Sequence, residues 1–235
     1  SITAHLRSII IDYYNLSLYT LMIILILFVL IILLMGKYIY ELHQFNHSAQ
    51  LIQLQNPNKS IIQEVILEKS PIIIHNLMNQ KSEITDLSIS KLVEKNPGYI
   101  IQDNGKNISL SSFEDKEIQQ MIVIDNQNMI HDFQFKQSFY EINQSFMNNL
   151  SCNLKIYLSI LKGNHRITLN QNKHNYGIFT QLSGESTFYI INPKHKEDIQ
   201  GKESTIIKKW AFKISLKPSL ILYLPPDWYY MYEVN

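Results

Sequence analysis

Hydrophobic positions follow two different patterns along this chain. Between Asp12 and Lys37 no residue is charged, and Leu16 to Met35 reads LSLYTLMIILILFVLIILLM. A helix that crosses the hydrocarbon of a bilayer needs about 20 apolar residues. This run supplies them without a Pro or an internal Gly. Its whole circumference is apolar, unlike that of a helix lying on a membrane surface. Tyr13, Tyr14 and Tyr19 flank one end and Tyr38 and Tyr40 the other, where interfacial aromatics sit. A signal-peptide core spans about 7–15 residues and is followed by small residues; here GKYIYELHQF follows. The pattern predicts a retained, single transmembrane helix over about residues 16–38, within an N-terminal segment 1–40. Arg7 and His5 precede the span, Lys37 follows it and Glu41 lies close behind, so charge counting does not orient it.

Beyond the span the pattern changes. Residues 41–57, ELHQFNHSAQLIQLQNP, are rich in Gln and His and sparse in apolar residues. They read as a helical stalk that Pro57 ends. Residues 58–235 read as one globular domain. SIIQEVILEKSPIIIHNLM carries two short β-branched runs, strand-like, divided near Pro71. SISKLVEK has a helical rhythm with Ser88 or Ser90 as N-cap and Pro97-Gly98 as a stop. GYIIQDNGKNISLSSF predicts a hairpin around Asn104-Gly105. KQSFYEINQSFMNNL, from Lys136 to Leu150, suits an amphipathic helix. After Cys152 come LKIYLSIL, HRITL, GIFTQL, STFYIINP, AFKISL and SLILYLP, with breaks at Gly163, Gly184, Pro193 and Pro218. Short strands at this spacing predict an antiparallel barrel or sandwich.

Composition narrows the function classes. With 21 Lys+Arg against 20 Asp+Glu the formal net charge is +1, which argues against a nucleic-acid binder. At 46% hydrophobic and 17% charged, most of the chain is expected to fold. The lone Cys152 excludes an intramolecular disulfide and a Cys-rich zinc site. Ile occurs 38 times, Asn 21 times and Ala 3 times, a skew that reads as A/T-rich coding. Six N-x-S/T sequons, at Asn15, Asn46, Asn58, Asn107, Asn143 and Asn149, are weak pointers to secretion in so Asn-rich a chain. The chain opens at Ser1, consistent with a lost initiator Met or a cleaved targeting peptide.

Three segments carry a resemblance. KSPIIIHNLMN, ITLNQNKHNYGIFTQLSGESTFYIINP and LKPSLILYLPPDWYYMY occur in the order of the opening, central and closing segments of the JmjC-type, cupin-like hydroxylase domain, which the chain resembles over roughly residues 68–95 and 155–234. The resemblance implies an α+β, mainly β fold: a double-stranded β-helix, or cupin jelly roll, preceded by the single transmembrane helix. Active members hold Fe(II) with His-x-Asp and a later His, leaving positions for 2-oxoglutarate and oxygen. Anchored on Gln181, the resemblance puts Gln171, Lys173 and Tyr230 at those three positions. A Gln amide is a poor iron ligand, a Lys ammonium repels a cation, and a Tyr remains without a balancing carboxylate. Ser186 stands where many members carry the Lys that grips the co-substrate, whereas Thr168 is kept. Ser219 and Leu220 replace the Gly and Asp of the closing segment. The chain ends at Asn235, five residues after Tyr230, where active members continue, so the barrel is expected to be clipped at its last edge.

Other candidates are weaker. His174, with His165 and His195, gives no HxD or HxH pair and one HxE, His195-Lys196-Glu197, and His131 and Asp132 are adjacent. Cys152 lacks a nearby base and reads as a small buried residue. There is no Walker loop and no GxGxxG. The last strand is a candidate exposed edge, with Trp228, Tyr229, Tyr230 and Tyr232 as interface anchors. The expected function is a non-catalytic, membrane-anchored accessory subunit of a larger membrane complex. A mitochondrial inner-membrane respiratory-chain complex, with the C-terminal domain in the intermembrane space, suits its style. Expected partners are lipid around residues 16–38 and other subunits, with no nucleic acid, cofactor or metal. The alternatives are a membrane-anchored Fe(II)/2-oxoglutarate hydroxylase with an atypical metal site, and a binding module using the emptied pocket.

Overall fold

The computed structural model describes residues 2–43, 46, 48–77, 87–103, 105–147 and 154–234, with side chains from residue 19 onward apart from residues 42 and 43. Cys152 and Asn149 lie outside the described residues. The chain forms two compact units, 1–44 and 45–235.

The first unit is one helix, α1 (Ile2–His43). Tyr19–Glu41, 23 residues, is long and apolar enough to cross a membrane. At 1.5 Å per residue it rises about 35 Å, against a hydrocarbon core of about 30 Å. Lys37 and Glu41 form an i,i+4 ion pair of 3.7 Å near its end.

The second unit opens with an Asn-centred turn, in which Asn46 Oδ1 accepts from the Ser48 amide at 3.0 Å. Strand β1 (Ile52–Gln55) follows, so the expected helical stalk is corrected here. IQLQ alternates half-buried and exposed residues, the period of a strand. Helix α2 (Lys59–Ile66) then replaces the first expected β-branched run. Asn58 caps it, accepting from the Ile61 amide at 2.9 Å, and Ile62 is buried one turn on. Strand β2 (Ile72–His75) returns parallel to β1, with Ile52 opposite Ile72.

Helix α3 (Ile89–Lys95) begins at Ser88, whose hydroxyl accepts from the Lys91 amide. Strands β3 (Ile100–Asp103) and β4 (Lys106–Ser109) form the expected hairpin, with Gly105 at φ 77°. Strand β5 (Met121–Asn126) precedes α4 (Asn128–Asp132) and α5 (Lys136–Asn143), the latter shorter than its sequence rhythm suggested. Strand β6 (Leu158–Lys162) pairs antiparallel with β5. Leu92, Ile101, Leu110, Val123, Met129 and Ile160 form the core of this half. Gly163 follows at φ 82°, where a Cβ would meet the Gln119 carbonyl at 2.3 Å, so only Gly fits the turn.

β6 is the first of the six strands expected after Cys152, and the remaining strands are the other five and, last, a seventh. They are β7 (His165–Gln171), β8 (Gly177–Thr180), β9 (Ser186–Ile191), β10 (Ala211–Leu216), β11 (Leu220–Leu224) and β12 (Tyr229–Val234). Short helices α6 (Lys196–Ile199) and α7 (Ser204–Ile207) lie between β9 and β10. Two four-stranded sheets result, in the orders β1-β2-β11-β8 and β10-β9-β12-β7. Ile73, Leu222 and Leu224 of the first share one core with Phe188, Ile190, Ile214 and Leu216 of the second, and Trp228 is fully buried within it. Outside the second sheet, Ile191 and Met231 pack on Ile199 and Ile207 of α6 and α7. Outside the first, Ile72, Ile74 and Ile221 meet Ile62 of α2 together with Ile142 and Phe146.

Candidate functional site

The positions singled out by the resemblance lie on β7, β12 and the loops at their ends. Two successive residues of a strand face opposite ways. Tyr229 pairs with Gln171 on one side and Ile191 on the other, and Ile191 belongs to the outer core. Tyr230 pairs with Asn170 and Ile190, and Ile190 belongs to the core between the sheets. Gln171 and Tyr230 therefore stand on opposite faces of the second sheet. Lys173 is exposed in the β7–β8 loop. The structure does not bring the three together.

Each of the three has its own local reason. The Gln171 amide donates to the Asp227 carboxylate at 3.3 Å and to its carbonyl at 3.4 Å. Tyr230 presses its ring against Phe179 of β8, centroids 4.9 Å apart, and Phe179 meets Phe188 at 5.3 Å. Tyr232 stacks on Phe188 at 4.8 Å and 14°. Four aromatic rings from three strands thus fill the space between the sheets beside Tyr230. Such ring pairs add about 0.5–1.5 kcal/mol each beyond their buried area.

The phenols in this stack are held neutral. Burial raises the Tyr230 pKa, and the nearby Asp125 carboxylate raises it further. Tyr232 is pushed up to about 12, chiefly by burial, then by Asp125 and Tyr230, against a Ser159 hydrogen bond that lowers it. A phenolate ligand would have to be made against both effects.

The residue that organises the loop was not singled out by the sequence: Asn172, buried between Gln171 and Lys173. Its side-chain amide donates to the Leu224 carbonyl at 3.1 Å and the Pro225 carbonyl at 2.9 Å. Its Oδ1 accepts from the His174 amide at 3.2 Å. Its main chain accepts from the Asp227 amide and donates to the Trp228 carbonyl, both at 2.8 Å. Asn172 thus clasps the β7–β8 loop to the Pro225-Pro226-Asp227 turn. The signal available in sequence was an Asn next to a strand end, which in an Asn-rich chain carries little weight.

The positions that the resemblance assigns to the co-substrate are also committed. Ser186 donates its hydroxyl to Gln181 Oε1 at 2.7 Å, and the Gln181 amide donates to the Ser183 carbonyl at 2.7 Å. Thr168 is exposed, its carbonyl accepting from the Asn170 amide side chain. Ser219 sits at φ 71° in the Lys217–Leu220 turn, the left-handed conformation that suits a Gly.

The histidines are dispersed. His165 lies 2.7 Å from the Lys162 carbonyl, His174 is exposed, and His195 stacks on Trp210 at 4.5 Å while pairing with Asp198 at 3.1 Å. Among the described residues, no three His, Cys, Asp or Glu side chains are placed to hold a metal ion. The donor set at the positions that the resemblance assigns to iron does not fit ferrous iron: one amide, one exposed ammonium and one protonated phenol on the far face.

The expected open edge at the last strand is corrected. β12 lies inside its sheet, hydrogen-bonded to β9 on one side and β7 on the other. The edges fall instead on β7 and β10 of that sheet and on β1 and β8 of the other. Trp228 is buried, so it presents no surface.

A second unforeseen node lies on the outer face. Glu233 of β12 accepts from Lys208 at 2.8 Å and meets Arg166 of β7 at 2.6 Å. The Lys208 hydrogen bond holds the Glu233 carboxyl below its ordinary value, and Glu233 in turn raises Lys208. Lys208 also stands over the Tyr189 ring at 4.4 Å. No known family model and no curated protein matches this sequence.

Proposed function

We propose that this chain is a non-catalytic, membrane-anchored accessory subunit of a larger membrane complex. In this reading its strand domain is a cupin-like jelly roll whose iron positions have been given over to packing. The observation that carries it is Tyr230, whose ring lies 4.9 Å from Phe179 in the core between the sheets while Gln171 stands on the other face. A hydroxylase needs an open coordination position beside a carboxylate ligand. Here an aromatic stack and a protonated phenol occupy the region. The order of the two sheets and the left-handed Ser219 turn support the jelly-roll reading. A fold kept without its site is a scaffold.

The span Tyr19–Glu41 supports the anchored placement, and a respiratory-chain complex of the mitochondrial inner membrane is the proposed host. The test is purification in mild detergent. The chain is expected to travel in fixed stoichiometry with other membrane subunits, and Gln171→Ala and Lys173→Ala are expected to leave that assembly intact and active. A chain that purifies alone, or point variants that abolish a turnover without disturbing assembly, would overturn the reading.

A further inference from the structure

Among the described residues the two large sheets end on β1 and β8 in the first and on β7 and β10 in the second. A sheet edge presents a row of backbone donors and acceptors, which proteins blunt with charges, bulges or local caps. β7 carries the exposed Arg166, its register against β12 breaks between Tyr230 and Tyr232, and the Asn170 side chain donates to the Thr168 carbonyl at 3.0 Å. β10 carries the exposed Lys213. β8 begins at Gly177, which has no side chain to pair across a junction. β1 has none of these devices. From Ala49 to Asn56 the sequence AQLIQLQN holds no charge and no proline, and its register against β2 runs unbroken from Ile52 to Gln55.

The hydrogen bonds of β1 fix which groups face outward. The Ile52 amide donates to the Pro71 carbonyl at 3.0 Å and the Asn56 amide to the His75 carbonyl at 3.2 Å. The amide and carbonyl of one residue point to the same side of a strand, and successive residues alternate. Ile52, Leu54 and Asn56 therefore bond towards β2, and Leu51, Gln53 and Gln55 turn their amides and carbonyls to the open side. Side chains alternate between the two faces of the sheet. Ile52 and Leu54 pack half-buried on the outer face with Ile62, Leu51 packs between the sheets, and Gln53 and Gln55 are exposed.

This pattern matches itself when reversed. In an antiparallel junction centred on Gln53, Gln53 faces the partner's Gln53, Ile52 faces the partner's Leu54 and Leu51 faces the partner's Gln55. The outer face gains apolar pairs of Ile52 with the partner's Leu54, and the reverse. On the other face a Gln meets a Gln, and an amide side chain both donates and accepts. Such cross-strand pairs are the unit that stabilises a sheet, and no like charges oppose one another here. Gln53 and the partner's Gln53 exchange both their backbone hydrogen bonds, and so do Leu51 and the partner's Gln55. An edge without charge offers a different chain little to fix its register, whereas the reversed match fixes it for a second copy.

We propose that β1 is a self-association edge: two copies of this chain join β1 to β1, antiparallel about Gln53, and fuse their first sheets into one continuous sheet. The interface lies wholly within the second unit. It goes beyond the accessory reading and does not rest on it.

The experiment uses the full chain in mild detergent. Cys152 is its one cysteine, so Cys152→Ser gives a thiol-free background into which Gln53→Cys is placed. Opposed Cα atoms of a hydrogen-bonded antiparallel pair lie about 5.5 Å apart, within reach of a disulfide. Mild oxidation is expected to link two copies of the chain, while Lys106→Cys, on the exposed end of β4, is expected to stay reduced. In the chain with its native cysteine, Gln53→Lys sets two ammonium groups opposite one another and is expected to raise the dimer dissociation constant about fivefold, read as mass in solution, with an unchanged circular dichroism spectrum. Gln55→Pro removes an outward amide and no bond to β2, and is expected to weaken the dimer in the same way. A chain that stays monomeric, a Gln53→Cys thiol that stays reduced or links to a different polypeptide, equal linking through Lys106→Cys, or a dimer indifferent to both Gln53→Lys and Gln55→Pro overturns the proposal.

Discussion

Isoleucine has two environments in this protein. In the span, Ile23, Ile24 and Ile26 are 58–61% exposed, while in the strand domain Ile72, Ile74 and Ile190 are 0% exposed. The side chain is the same and the cover differs. The strand domain supplies its own cover by facing one sheet against another and laying helices outside both. The span supplies none, and every residue from Tyr19 to Glu41 is exposed within the chain. Burial of apolar surface stabilises by about 25 cal/mol per Å², so α1 gains its stabilisation only in a second apolar phase. One unit folds on its core, and the other is a helix long and apolar enough to cross a membrane.

The comparison breaks most visibly at the span. Deleting residues 16–35 is expected to release the strand domain from membranes completely, read by carbonate extraction. Inside the strand domain the largest effect is expected at Trp228, which joins the two sheets. Trp228→Ala should cost about 3–5 kcal/mol, read as a fall in denaturation midpoint. Asn172→Ala should cost about 2 kcal/mol, because the buried Leu224 and Pro225 carbonyls lose their donor.

The Glu233 node gives a pH signature. Its carboxyl is depressed in the folded state, so the stabilisation is fully present above the ordinary glutamate value of 4.5 and is lost as pH falls through the lower folded value. Glu233→Gln is expected to flatten that acid limb and to cost about 1 kcal/mol at neutral pH. The smallest effect should be a gain. Ser219→Gly relieves a left-handed Ser and should raise stability by about 0.5–1 kcal/mol, measured as a higher melting temperature.

Local signals in the sequence were reliable where one element carried its own punctuation. The helix after Ser88, the Asn104-Gly105 hairpin and the six late strands all declared their caps, turns or periods. Two elements were misread because composition outweighed spacing. IQLQ has period two, but its Gln-rich surroundings suggested a stalk. SIIQEVI is β-branched, yet Asn58 and the three- and four-residue spacing of Ile62, Val65 and Ile66 make it a helix.

The site was less legible for a physical reason. Motif positions can be counted along a chain, but which face they occupy depends on register with other strands. Gln171 and Tyr230 match the family motif by count and stand on opposite faces by pairing. Asn172 and Glu233 act through partners far along the chain, at Leu224 and Pro225 for one and at Arg166 and Lys208 for the other. No local pattern announces such pairs.

In the proposed reading Gln171, Lys173 and Tyr230 do not make a ferrous centre. The most direct measurement is iron content together with succinate release from 2-oxoglutarate, on the full chain purified in detergent and supplied with Fe(II) under anaerobic conditions before oxygen is admitted. Iron well below one per chain after desalting, with no succinate above the protein-free control, is the result this account predicts. One iron per chain with sustained succinate formation would contradict it.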